Sequence, residues 1–153
     1  MGSRSDTKSM APAADLLKDF GVKTRSFILS AHRVPEKLDE VLKELEKEDT
    51  VCIIAGAGLA AHLPGVIASK TLIPVVGVPL DAKLGGMDAL LSIVQMPKGI
   101  PVATVGIGNS VNGALTALQF AAASDPSVKE KLSEYRKNMK EKFLSENGGE
   151  IKL

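Results

Sequence analysis

The sequence predicts an α/β fold in which helices cover both faces of a parallel β-sheet. Short apolar runs alternate along the chain with longer amphipathic runs, as expected when each strand is followed by a helix. The later apolar runs contain almost no polar residues, which is typical of parallel strands that are buried on both faces. The length of 153 residues suits a single domain with right-handed crossovers between its strands.

Four short segments rich in apolar residues are predicted to be strands. They are "TRSFIL" (Thr24 to Leu29), "TVCIIA" (Thr50 to Ala55), "IPVVGV" (Ile73 to Val78) and "IPVATVGI" (Ile100 to Ile107). The loop "MGSRSD" has no strand ahead of it. Either a leading strand lies upstream of this sequence, or the loop is anchored in another way.

Helices are predicted between these strands. Asp6 is a candidate N-cap for the first helix, which should run to about Phe20 and stop at Gly21. Pro35 suits the first turn of the second helix. Its apolar stripe consists of Leu38, Val41, Leu42 and Leu45. Further helices are expected near Ala60 to Ser69, Gly86 to Gln95, and Asn109 to Ser124.

A last helix should start at Pro126, behind a cap formed by Ser124 and Asp125. Its apolar positions follow helical spacing, which suits packing on the domain or contact with a neighbouring subunit. These positions are Val128, Leu132, Tyr135, Met139 and Phe143. We expect one domain over residues 1–144, followed by a C-terminal tail over residues 145–153.

Composition excludes several classes of function. A net charge of +1, no Trp and one Tyr give neither a basic face nor stacking platforms for nucleic acid. No apolar run approaches the ~18 residues of a membrane helix. The single Cys52 lies in an apolar run, so we expect a small buried hydrophobe and a reducing, cytoplasmic setting.

Two loops carry polar residues where a ligand would bind, because ligands of open parallel sheets lie at the carboxyl ends of the strands. The loop from Gly2 to Asp6 offers hydroxyl and N–H groups to a phosphate, or it is a plain capping loop. In the loop "SAHR", His32 can transfer protons near neutral pH. Arg33 carries a fork of donors suited to phosphate. A purely structural role for this pair is equally open.

A third loop, Ala55 to Gly65, supports two interpretations. Its glycines let a ligand approach the backbone, whereas His62 alone is more simply explained as a partly buried polar contact. The same loop contains a formal dinucleotide fingerprint, made by Gly56, Gly58, Ala61 and the later Asp81. That fingerprint normally occupies the first β–α unit of a domain, and this chain has little room for a separate substrate domain.

Four motifs in order resemble the PurE family of N5-carboxyaminoimidazole ribonucleotide mutases, from Met1 to about Tyr135. They are "MGSRSD", "SAHRVP", "AGAGLAAHLPG" and "LLSIVQMPKGIPVATVGIGN". The resemblance implies a flavodoxin-like three-layer α/β/α subunit, usually in a homo-octamer, with a small-molecule ribonucleotide as its partner. It implies a step of de novo purine synthesis that moves a carboxylate from the exocyclic nitrogen N5 to ring carbon C4. No metal, ATP, biotin or other cofactor is implied.

The resemblance also implies a role for individual residues. Ser3 and Asp6 would bind the ribonucleotide, Arg33 would hold its phosphate with help from Ser5, and Ser30 would orient the loop. His32 would be the general acid and base. The segment from Gly56 to Leu63 would line the pocket that retains CO2. Its proposed contacts are Gly58, Ala60, His62 and Leu63.

The family has a second branch that carboxylates aminoimidazole ribonucleotide directly with CO2 and typically reads "SAHK" and "GRSN". This chain reads "SAHR" and "GLAAH", which favours the mutase branch. Leu59 stands where many mutases have Gly, and "DAKLGGMDALLS" is a variant more common among archaeal-type members. Family members also carry a strand before the first loop, so we expect an upstream segment that this sequence omits.

Overall fold

Helices pack on both faces of a three-stranded parallel sheet in the computed structural model, which describes residues 1–149. The strands are β1 (Ile53–Gly58), β2 (Val75–Leu80) and β3 (Ala103–Thr104), in the spatial order β1-β2-β3. The helices are α1 (Thr7–Asp19), α2 (Pro35–Leu45), α3 (Leu63–Ala68), α4 (Met87–Val94), α5 (Ser110–Ala122) and α6 (Pro126–Asn147). Short 3₁₀ turns span Arg4–Asp6 and Leu84–Gly86. The predicted three-layer α/β/α class is confirmed.

The alternation of side chains along the strands creates the two faces of the sheet. Ala55 and Ala57 of β1 belong to the core beneath α2, α3 and α4. Ile54, between them, packs against the core of the opposite face, to which α1, α5 and α6 contribute. The sheet is therefore covered on both sides, as the nearly continuous apolar runs predicted.

Helix α2 shows how the predicted pattern becomes packing. Its four stripe residues, Leu38, Val41, Leu42 and Leu45, are all buried, and Pro35 lies at the helix start. The opposite face of this helix carries charged residues that are mostly exposed. The stripe fixes α2 on the sheet and so fixes the loop directly before it, which contains His32 and Arg33.

The strand predicted from Thr24 to Leu29 is wrong, because the structure assigns no strand there. In the described part of the chain, only Met1 pairs with this segment in the parallel pattern. Its amino group donates to Phe27 O (3.0 Å), and its carbonyl accepts from Leu29 N–H (2.9 Å). One paired residue is too short to count as a strand. These two bonds nevertheless bring the first loop next to the loop that follows Leu29.

The other strands were predicted at the right places but with shifted ends. β1 and β2 each begin and end later than predicted, and β1 continues through Gly56 and Gly58. β3 is reduced to two residues, between Pro101, which has no N–H to donate, and the turn at Gly108. The apolar runs predicted where the strands lie. The glycines that were expected to begin a loop instead belong to β1.

The helix ends follow their capping chemistry. Gly21 has a φ of +71° just after α1, as expected for a helix stop, and Asp125 caps α6 through Ser127 N–H (2.9 Å). Asp6 precedes α1 but makes no side-chain bond to that helix.

The predicted tail begins inside α6, which continues to Asn147, and residues 150–153 lie outside the described residues. Within residues 1–149, no helix combines the length and apolar character needed to cross a membrane.

Candidate active site

The first loop is folded into a compact polar turn. Ser3 N–H donates to Asp6 Oδ2 (2.9 Å), and Ser3 Oγ accepts from Ser5 N–H (3.3 Å) and from the Ser5 hydroxyl (2.9 Å). This is a reciprocal capping box on the 3₁₀ turn. Asp6 therefore closes the loop on itself instead of capping α1 as predicted, and two hydroxyls and one carboxylate lie together.

The second loop is a turn stabilised by Ser30. Val34 N–H donates to Ser30 O (3.0 Å), and Arg33 N–H donates to Ser30 Oγ (3.3 Å). The Arg33 guanidinium donates to Gly2 O (3.0 Å), so it reaches the first loop. Ser30 shapes the turn, and Arg33 joins the two loops while remaining exposed.

The third loop meets the second through the two histidines of the chain. Nε2 of His32 lies 2.8 Å from Nδ1 of His62, and the rings are nearly perpendicular at 86°. Both residues are exposed at the surface. His62 is thus a hydrogen-bonding partner of the candidate acid/base, a role that its isolated position in the sequence did not indicate.

Packing explains the two glycines of the dinucleotide fingerprint. A Cβ at Gly56 would collide with the side chain of Met10 on α1, and a Cβ at Gly58 would lie 3.0 Å from Ala82 Cβ. Both glycines lie within β1, ahead of the N-terminus of the following helix α3. The close approach that they permit is between elements of the chain, and α3 is too short to present the usual phosphate site.

The remaining residues predicted in the third loop divide between surface and core. Ala60 is exposed, whereas Leu63 is 5% exposed and packs in the core beneath α2, α3 and α4. Leu63 can offer a ligand its backbone but not its side chain. Leu59 has a φ of +57°, a left-handed conformation that favours Gly. Leu59 therefore occupies a backbone conformation that is less favourable for Leu than for the Gly found there in many mutases.

Sequence reasoning missed the contacts that join the loops. Arg33 contacts the carbonyl of Gly2, which is 31 positions away in the chain, and Gly58 lies next to Ala82, which is 24 positions away. No local sequence pattern encodes contacts at such separations. Cys52, which was expected to be a small buried hydrophobe, is half-buried, and burial raises the pKa of its thiol to about 12, which disfavours the reactive thiolate. Within residues 1–149, no group of three or more His, Cys, Asp or Glu side chains is placed to hold a metal ion.

A family model described as AIR carboxylase matches residues 1–142 of this sequence. The chain belongs to the AIR carboxylase family. It is 55% identical over 143 residues to the N5-carboxyaminoimidazole ribonucleotide mutase of Pyrococcus horikoshii, covering 93% of this chain and 81% of that protein. It is equally identical over 145 residues to the enzyme of the same name from Methanocaldococcus jannaschii, covering 95% of this chain and 90% of that protein.

The fold also agrees with that of a solved structure. The crystal structure of Treponema denticola PurE matches with a TM-score of 0.88 at 28% sequence identity, over 97% of this chain and 93% of that chain. The flavodoxin-like α/β/α fold implied by the four motifs is therefore confirmed, and so is the family.

Proposed function

We propose that this protein is an N5-carboxyaminoimidazole ribonucleotide mutase, an isomerase of de novo purine synthesis. The observation that carries the proposal is the junction of the three loops, where Arg33 reaches the first loop and His32 reaches the third. An acid/base side chain next to an anion-binding side chain suits a phosphorylated substrate that must gain and lose a proton. The names of the relatives supply the substrate class.

The first and second loops would bind the ribonucleotide. Arg33 would hold the phosphate through N–H groups not used by Gly2, with the Ser5 hydroxyl beside it. Asp6 would accept hydrogen bonds from ribose hydroxyls, and Ser3 would offer its hydroxyl. Ser30 would keep the turn in shape.

His32 would move the protons of the reaction. When the bond between N5 and the carboxylate breaks, CO2 leaves and the nitrogen takes a proton from His32. When CO2 bonds to C4, the proton on that carbon returns to His32, so the enzyme ends as it began. The loop from Gly56 to Leu63 would confine CO2 between the two steps, through Gly58, Ala60 and His62 and the backbone of Leu63.

The alternative is the CO2-using carboxylase of the same family. Rates with each ribonucleotide separate the two, measured as the appearance of the C4-carboxylated product. We expect turnover of the N5-carboxylated substrate that does not require added bicarbonate. Turnover of aminoimidazole ribonucleotide with bicarbonate, together with no activity on the N5-carboxylated substrate, would establish the alternative.

The proposal extends to assembly and location. We infer a cytoplasmic homo-octamer, with residues 1–144 as the catalytic domain and 145–153 as a tail. Met139 and Phe143 on α6 are 58% and 64% exposed, and Leu144 beside them is also more than half exposed. Exposed apolar side chains clustered in the second half of α6 support burial against another copy of the chain.

A further inference from the structure

We propose that His62 is a positioning residue, which holds the ring of His32 and determines which nitrogen of that ring exchanges protons with the substrate. The inference rests on the proposed function, in which His32 is the acid/base. It goes further by giving His62 a role through His32, in addition to its place in the loop that would confine CO2. The observation behind it is the contact of 2.8 Å between His32 Nε2 and His62 Nδ1.

The chemistry of this contact restricts both rings. A hydrogen bond between two imidazole nitrogens requires one protonated nitrogen and one bare nitrogen. Both rings therefore cannot be cationic while the contact persists, because two N–H groups would face each other. Nε2 of His32 is occupied by His62, so Nδ1 of His32 is the nitrogen left to give and take protons at the substrate.

His62 is the better anchored member of the pair. It precedes α3 directly, its N–H donates to Ala60 O (2.7 Å), and its carbonyl accepts from Val66 N–H (2.9 Å). The next two residues, Leu63 and Pro64, are buried in the core. His32, by contrast, lies in a surface turn whose neighbours Arg33 and Val34 are exposed. The ring of His62 is thus attached to the core, and it can hold the ring of His32 in place.

Nitrogen-15 spectra of histidine-labelled full-length protein test the contact directly, because the chain has two histidines. In the wild type we expect the signature of a hydrogen bond between Nε2 of His32 and Nδ1 of His62, with one of these nitrogens protonated and the other bare. In His62→Leu, the His32 ring should lose this signature and the chemical shift of its Nε2 should change. The charged groups of the neighbouring loops, Asp6, Arg33, Asp81 and Lys83, are the same in both proteins, so the difference reports on His62.

Kinetics with the N5-carboxylated ribonucleotide supply the second measurement. His62→Leu should lower kcat by about 10- to 100-fold, the cost of a misplaced catalytic group, while KM changes by less than about threefold. His62→Asn should recover part of kcat, since its amide places a polar atom near the position of Nδ1. Leu72→Ala, fully exposed at the opposite end of β2, is the control and should match the wild type.

Two results would overturn the inference. One is a nitrogen-15 spectrum of the His32 ring that is the same in His62→Leu as in the wild type, in a variant whose circular dichroism shows an intact fold. The other is a rise in KM with unchanged kcat, which would make His62 a substrate contact. Failure of the proposed function is distinguishable, since it would appear as a wild type that is inactive on this substrate while its histidines still show the hydrogen bond between the two rings.

Discussion

Two side-chain contacts at the carboxyl edge of the sheet bring together residues that are about thirty positions apart. Arg33 donates to Gly2 O, and His32 meets His62, although each pair is separated by a strand or a helix in the chain. The residue types and their place after an apolar segment were readable from the sequence. Their partners were not, because a tertiary contact leaves no local pattern.

Arg33→Ala tests the phosphate role at the level of a single residue. The variant should raise KM for the ribonucleotide about tenfold or more and change kcat by less than about threefold, since a charged hydrogen bond is worth about 1.5–3 kcal/mol. Steady-state kinetics with the N5-carboxylated substrate give both constants. Arg25→Ala is the matched control, because Arg25 pairs with Glu44 and Glu48 and is not assigned to the site. A KM equal to that of the wild type would remove Arg33 from the phosphate site.

At the level of elements, the apolar runs predicted where strands and helices lie, and packing determined where they end. β1 extends through glycines that sequence reasoning assigned to a loop. Gly56 is there because Met10 of α1 fills the space of its missing side chain, and that contact is visible only in the folded chain. The segment predicted from Thr24 to Leu29 shows the converse, since suitable residues do not form a strand without a paired neighbour.

Gly56→Ala tests this account of β1. The added methyl group would collide with Met10, so the free energy of unfolding should fall by about 1–3 kcal/mol, the usual cost of overpacking. Denaturant titration measures the change. Gly106→Ala is the control, because a Cβ there would lie 3.9 Å from Asn109 Cβ and has room, and its effect should stay within about 0.5 kcal/mol. Equal stabilities for the two variants would show that Gly56 does not serve packing.

For the whole molecule, the class of fold and the family followed from the alternation of elements and from four motifs, while the assembly did not. The first half of α6 packs on the domain through Val128 and Leu132, as its spacing predicted. The same spacing continues to Met139 and Phe143, which remain largely exposed. The apolar stripe of α6 is thus buried against the domain in its first half and exposed in its second half.

Phe143→Asp tests the proposed assembly. Light scattering after size exclusion should give the wild type a mass eight times the 16.1 kDa of the chain. The variant should dissociate to smaller species, because a buried carboxylate without a partner is costly at an interface. Glu141→Ala, an exposed change on the same helix, should keep the wild-type mass. A wild-type mass for Phe143→Asp would place the interface elsewhere.

The rate of His32→Asn on the N5-carboxylated ribonucleotide tests the central claim most directly. The account predicts that kcat falls by about 10²-fold or more, as for loss of an acid/base group, while ribonucleotide binding measured by calorimetry stays near that of the wild type. A kcat near the wild-type value would contradict the assignment of His32, and with it the mechanism proposed for this chain.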